Sequence, residues 1–211
     1  MTAADTRVDR VARRQVDKFE ERRRELADAA LQTLSELGYA RTSLREIAQN
    51  SAFSHGVLHY YFRDKVDLIT YCVRQYKAEC VRRYDRIVTD SDTAAQLSRD
   101  FGAGLAGTMV EDGTMHRLWY DLRSQALFET SFRADVLEID ATLQDMIWRI
   151  VSRYAELAGA TVVTLPAVTY AMFDGQFQQG LLHHLAGDHE AGPRLDAAAR
   201  QLLTMVVPFS S

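Results

Sequence analysis

Between Arg45 and Phe62 the chain reads REIAQNSAFSHGVLHYYF, a stretch crowded with hydrogen-bonding and aromatic side chains. His55 and His59 are four residues apart, so on a helix their imidazoles share one face. An imidazole donates or accepts according to its protonation, which suits the donor and acceptor pattern of base edges in a DNA major groove. Gly56 has no side chain to hold such a helix away from the groove. Tyr60 belongs to the same outer side, and Val57, Leu58 and Phe62 are left to face inward as anchors. Tyr61, Arg63 and Lys65 stand at the far end, suited to phosphates. Thr42, Ser43 and Arg45 can meet phosphates through hydroxyls, a guanidinium and the N–H groups of a helix start.

These side chains need short, firmly capped helices to aim them. Ser43 and Glu46 form a Ser-x-x-Glu capping box, which starts a helix near Leu44. That helix buries Leu44, Ile47 and Ala48 and ends near Asn50. Ser54 caps a second helix over 55–61. Two short helices joined by a tight break are a helix-turn-helix pattern, in which the first crosses the phosphate backbone and the second offers its N-terminal residues, from Ser54 onward, to the bases.

Around this pair the periodicity is helical throughout. Residues 18–37 carry Phe19, Leu26, Ala30, Leu34 and Leu37 near 3.6 spacing, and Gly38 supplies a stop. Asp64 caps a long helix from Lys65 to about Val88, with Leu68, Ile69, Cys72, Val73, Tyr76, Cys80, Tyr84 and Ile87 on its apolar side. Helices follow over 93–110, 114–128, 132–158, 165–186 and 193–206. Only three prolines and eleven glycines interrupt 211 residues, and no segment has strand character, so the expected class is all-α.

Composition is ordinary for a soluble globular protein, at 47% hydrophobic and 26% charged. The net charge of −4 does not suggest a polyanion partner, but its distribution does. Residues 1–65 hold 12 Lys/Arg against 10 Asp/Glu, whereas residues 66–211 hold 13 against 19. Cys72 and Cys80 lie about 12 Å apart along one helix, too far to bridge. With no membrane span and no signal sequence, a soluble cytoplasmic protein is expected.

Catalytic patterns are missing. There is no Ser/His/Asp order, no paired carboxylates and no phosphate loop, and Gly102, Gly104 and Gly107 are not in a strand-to-helix setting. His55 and His59 have metal-ligand spacing, and His183, His184 and His189 could join a site, but no Glu follows His55 and no cysteine pair accompanies them. No metal and no cofactor are expected.

The string TSLREIAQNSAFSHGVLHYYFRDKVDLI, residues 42–69, strongly resembles the DNA-binding domain of the TetR family of bacterial repressors. The match is carried by Thr42-Ser43, Ile47-Ala48, Ser54-x-Gly56, Leu58-x-Tyr60-Tyr61-Phe62, Lys65 and Leu68. ALQTLSELGYART (30–42) resembles the preceding helix, and AMFDGQFQQGLLHHL (171–185) looks like the family's penultimate, dimer-forming helix. The sequence departs from the pattern at Ser51-Ala52, Phe53, Val57 and His59. The last two lie on the reading helix, so no operator sequence carries over.

The resemblance implies nine or ten helices in three parts. These are a flexible arm over 1–17, a helix-turn-helix domain over 18–66, and a larger domain over 67–211 that binds a small-molecule effector and pairs two copies. It implies a repressor, acting as a homodimer on a double-stranded, palindromic DNA operator and released by ligand, with the helix that starts at Lys65 as the lever. In the arm, Arg7, Arg10, Arg13 and Arg14 suit either a solvated tail or a minor-groove contact, and Asp5, Asp9 and Asp17 favour the tail. A second reading, from another class, is a small-molecule sensor or sequestering protein with vestigial DNA binding, which His55 and His59 pointing inward would favour.

The C-terminal part is rich in Met109, Met115, Trp119, Tyr120, Phe128, Met146, Trp148, Tyr170, Met172, Phe173 and Phe177. Individually these are core residues; collectively they can wall an apolar cavity, with Trp119, Arg123 and Phe177 as the expected ligand-binding residues. Arg123 lies on an apolar stripe, so it either pairs with Asp174 or Glu129 or awaits a ligand anion. Ala171, Gly175 and Gly180 suggest a partner helix close to 165–185, and with 194–207 a four-helix dimer interface.

Overall fold

In a computed structural model of the chain, residues 3–38 and 42–208 are described, with side chains from residue 15 onward except those of residues 32, 35 and 36. Nine helices occur among them: α1 (Ala3–Leu37), α2 (Leu44–Gln49), α3 (His55–Tyr61), α4 (Lys65–Asp90), α5 (Ala94–Glu111), α6 (Gly113–Gln125), α7 (Arg133–Ala158), α8 (Pro166–Leu185) and α9 (Ala191–Val206). The described residues contain no strand.

Local chemistry places most of the boundaries. Ser43 Oγ accepts from the Glu46 amide at 3.2 Å and the Ser43 amide donates to Glu46 Oε2 at 2.7 Å, closing the expected capping box. Ser54 Oγ accepts from the Val57 amide at 3.3 Å and Thr93 Oγ1 from the Gln96 amide at 3.1 Å. Asp64 Oδ1 accepts from the Asp67 amide at 2.9 Å at the head of α4. Gly159 ends α7 in the left-handed region, at φ 61°, where a side chain would be strained. Pro166 begins α8, where its missing N–H costs nothing.

Two boundaries differ from expectation. Helix α1 begins at Ala3, not at 18, so the stretch read as an arm is helical. No proline or glycine stands before Gly38 to break it. The side chains of Arg7, Arg10, Arg13 and Arg14 lie outside the described residues. Helix α6 stops at Gln125 rather than 128, because Arg133 Nε and Nη2 donate to the carbonyls of Ala126 and Leu127, at 2.7 and 3.2 Å, and cap its end. Phe128, counted among the aromatics of core or cavity, is 85% exposed in the turn that results.

The chain divides into two compact units, meeting between Cys72 and Val73. The expected division at 66/67 falls short because the first two turns of α4 belong to the first unit. Leu68, Ile69 and Cys72 are buried, and Cys72 Sγ donates to the Ala27 carbonyl at 3.6 Å. The core of the first unit also takes Leu26, Ala30, Leu34, Leu44, Ile47, Leu58 and Phe62. In the second unit α5 packs on α9, α8 on α9, and α7 on α5 and α8. The α5–α9 approach is close: a Cβ added at Gly102 would meet Asp196 Oδ1 at 2.1 Å and its carbonyl oxygen at 3.0 Å. Both cysteines are buried free thiols.

Candidate nucleic-acid interface and effector cavity

Helix α3 has a divided surface. Leu58 and Phe62 are fully buried, and Val57 is partly buried. Ser54, His55, Gly56, His59 and Tyr60 are exposed, Tyr60 by 73%. The outer face is therefore free while the inner face is fixed by apolar packing. Gly56 is instructive: a Cβ there would meet no atom within 4 Å. Packing in this chain does not call for glycine, and glycine costs a helix interior about 1 kcal/mol relative to alanine.

The two imidazoles touch. His55 Nε2 and His59 Nε2 are 3.2 Å apart, with rings edge to face at 4.4 Å. One ring donates to the other, which leaves Nδ1 of each for an outside partner. Their exposure removes the condition that would have favoured vestigial DNA binding. Tyr61 is half-buried, its ring 4.8 Å from that of Phe19 on α1, and Tyr60 stands edge-on to it at 5.0 Å. Arg45 and Ser43 are exposed at the start of α2, and Lys65 is half-buried in the first turn of α4.

Thr42 does not join this face. Its side chain is buried and its hydroxyl donates to the Gly38 carbonyl at 2.6 Å, tying the loop to the end of α1. A hydroxyl that close to an unpaired helix-terminal carbonyl satisfies that acceptor instead of a phosphate. Phe53, in the turn, is covered by the Arg22 guanidinium at 4.8 Å, which gives this large aromatic a place there.

The second unit holds a cavity of about 60 Å³, lined by residues of α4, α5, α6, α7 and α8. Trp119 and Phe177 are in its wall. Arg123 is not among the lining residues. It pairs with Asp174 at 2.6 Å and Asp140 at 3.3 Å, so Asp174 is the partner and Glu129 is not. Tyr120 donates to Asp174 at 2.9 Å and Tyr170 to Asp140 at 2.7 Å, completing the network. Burial is compensated there, and no charge is left for a ligand.

The sequence reading missed Lys77 and His116, which both line the cavity. Lys77 is 6% exposed and His116 4%. Lys77 Nζ lies 3.1 Å from His116 Nδ1, and His116 Nε2 lies 2.9 Å from the Tyr76 hydroxyl. Desolvation lowers the Lys77 pKa to about 8, opposed by Cys80 and Asp174. Desolvation first, then Lys77, holds the His116 pKa far below the ordinary histidine range. His116 is thus neutral, with Nδ1 accepting from Lys77 and Nε2–H donating to Tyr76. The signal was present in the spacing: Lys77 falls on the Val73, Cys80, Tyr84 stripe, and His116 on that of Trp119, Tyr120 and Arg123.

Helix α8 also has two faces. Val168, Ala171, Gly175 and Leu182 lie outward, and a Cβ at Gly175 would meet nothing within 4 Å. Gly180 differs from expectation: its added Cβ would lie 3.1 Å from Met109 Sδ and 3.7 Å from Leu195 Cβ, so its smallness serves packing inside the chain. Between α8 and α9 runs an open groove lined by Gln176, Gln179, Arg194, Ala197, Ala198 and Gln201. Among the described residues no helix is long and apolar enough to cross a membrane, and no cluster of three or more His, Cys, Asp or Glu is placed to hold a metal.

Residues 26–72, which lie within the first unit, match the family model of bacterial regulatory proteins of the tetR family. The HTH-type transcriptional regulator BetI of Paraburkholderia phymatum is 28% identical over 181 residues, covering 83% of this chain and 89% of that one. FadR of Bacillus subtilis, solved with stearoyl-CoA, superposes with a TM-score of 0.67 at 16% identity, over 88% of this chain and 98% of that one. SmeT, the repressor of the Stenotrophomonas maltophilia efflux pump SmeDEF, does so with a TM-score of 0.62 at 18% identity, over 88% and 89%. At these identities the structural likenesses speak to the fold. Over residues 26–72 the chain is thus similar to the tetR family of bacterial regulatory proteins, and over most of its length to BetI, a transcriptional regulator.

Proposed function

We propose that this chain is a homodimeric repressor that reads a palindromic operator with α3 and leaves it when a small molecule occupies the cavity of the second unit. The observation that carries the reading is the divided surface of α3: two apolar anchors at 0% exposure on one side, and an uncovered His55, Gly56, His59 and Tyr60 on the other. Ser43 and Arg45 at the head of α2, with Lys65, supply the phosphate contacts that set register. The outer face of α8, with Leu182 at 70% exposure and the groove toward α9, suits a second copy in a four-helix interface. Helix α4 runs from Lys65 to Asp90 and supplies Leu68 to the first unit and Lys77 to the second. FadR and SmeT support the effector and repressor parts by analogy alone.

Selection of bound duplexes from random DNA tests this reading. The expected product is an inverted repeat whose half-sites sit about one helical turn apart, near 34–36 Å. Enrichment of no sequence contradicts it, and a lone half-site contradicts the dimer.

A further inference from the structure

The cavity's charges specify its occupant. Each acid facing it is already engaged: Asp174 by Arg123 and Tyr120, and Asp140, behind it, by Arg123 and Tyr170. Asp112, near the Lys77 end, pairs with Arg83 at 3.5 Å. Lys77 stands apart from all of them. Among the described residues no carboxylate lies within 4 Å of its Nζ. An ammonium has three N–H donors, and the acceptor found for them is Nδ1 of a neutral His116. The rings of Tyr76 and Trp119, each 5.6 Å from Nζ, give partial compensation. A buried ammonium with two donors unused, at the wall of a cavity, is a site built for an anion.

We propose that the effector is a small organic acid whose carboxylate accepts from Lys77 Nζ while its apolar body lies against Trp119, Phe173 and Phe177; this rests on the cavity being the effector site. A cationic ligand has no free acid to meet. A neutral one leaves the ammonium as it is. At about 60 Å³ the cavity has room for several waters by that measure, which fits one ring or a short chain and not a long acyl thioester.

Matched sets that keep the body and change the charge test the assignment: benzoate, benzamide and benzylamine, with hexanoate, hexanamide and hexylamine. Binding is read from thermal shift and from Trp fluorescence on the full chain, with Lys77→Met alongside. The acids are expected to raise the melting temperature, and their neutral and cationic counterparts are not. Lys77→Met is expected to weaken the acids by roughly tenfold to a hundredfold, the loss of a charged hydrogen bond. Because Lys77→Met removes a buried charge, it keeps its own fold, which helical circular dichroism checks. An amine or amide that binds as well as its acid overturns the proposal, as does failure of both acids to bind, or unchanged acid binding in Lys77→Met. DNA affinity measured in the same samples separates the two levels. Acids that bind through Lys77 without changing DNA affinity leave this assignment standing and contradict the repressor mechanism.

Discussion

Lys77 Nζ and His116 Nδ1 lie 3.1 Å apart inside the second unit, a buried ammonium held by a neutral imidazole on the neighbouring helix. A pair of this kind costs folding energy, because desolvation of Lys77 is offset by one hydrogen bond and two rings. The neighbours of the pair are Tyr76 and Cys80 on the helix of Lys77, Arg83, which acts on His116, Asp112 in the turn before α6, Arg123 on α6, and Asp174 on α8. Such a cost persists in proteins where function needs the charge.

Lys77→Met is therefore expected to stabilise the unliganded protein at pH 7, by up to about 3–4 kcal/mol from a pKa lowered from 10.5 to about 8. The sign with pH follows. Below about pH 8 the folded and unfolded chains both hold the proton, and the cost is present in full. Between about 8 and the ordinary 10.5 the unfolded chain holds a proton the folded chain has released, so wild-type stability rises and the gap closes. Urea unfolding of both proteins at pH 7 and 9.5 checks this. No gap at pH 7, or one that widens by pH 9.5, goes against it.

Gly56 and the space around it make a second prediction. Gly56→Ala is expected to leave the fold intact and to raise stability by up to about 1 kcal/mol, because the new methyl meets nothing. The same methyl is expected to weaken operator binding by holding α3 off the groove. Paired melting and binding measurements decide it. A variant that is more stable and binds as well as wild type means that α3 does not approach DNA at Gly56.

Leu182, 70% exposed on the outer face of α8, carries the prediction for assembly. Leu182→Glu is expected to shift the protein from dimer to monomer in analytical ultracentrifugation, with circular dichroism unchanged. An undisturbed dimer would place the interface elsewhere. Gly102→Ala is the internal control. Its Cβ meets Asp196, which two bonds to Arg200, at 2.8 and 2.6 Å, hold in place, so it is expected to destabilise the protomer by about 1–3 kcal/mol.

Local chemistry was legible in the sequence wherever one residue type has one local use. The Ser43–Glu46 box, the Ser54 cap and Gly38 each act within four residues, and the starts of α2 and α3 and the end of α1 lie where they put them. Long-range facts were less visible. Thr42 could serve a phosphate or its own helix end, and the distance to the Gly38 carbonyl decided for the latter. Arg123 could pair or wait for a ligand, and Asp174, on another helix 51 residues away, took it. Gly180 could meet a partner or its own chain, and a Cβ there would lie 3.1 Å from Met109 Sδ on α5, so its smallness serves packing within the chain. Lys77 shares helical spacing with Val73, Cys80 and Tyr84, and that spacing is the sequence sign of its burial.

The most direct test of the account is fluorescence anisotropy on a duplex from the upstream intergenic region and on random DNA, with wild type, His59→Ala and Arg45→Ala, across a salt series. Wild type is expected to prefer the upstream duplex. His59→Ala is expected to lose that preference by about 1–3 kcal/mol, and Arg45→Ala to weaken both duplexes alike and lower the salt slope by about 1. If wild type prefers that duplex and His59→Ala keeps the full preference, α3 is not the reading helix at that position, and the central claim fails.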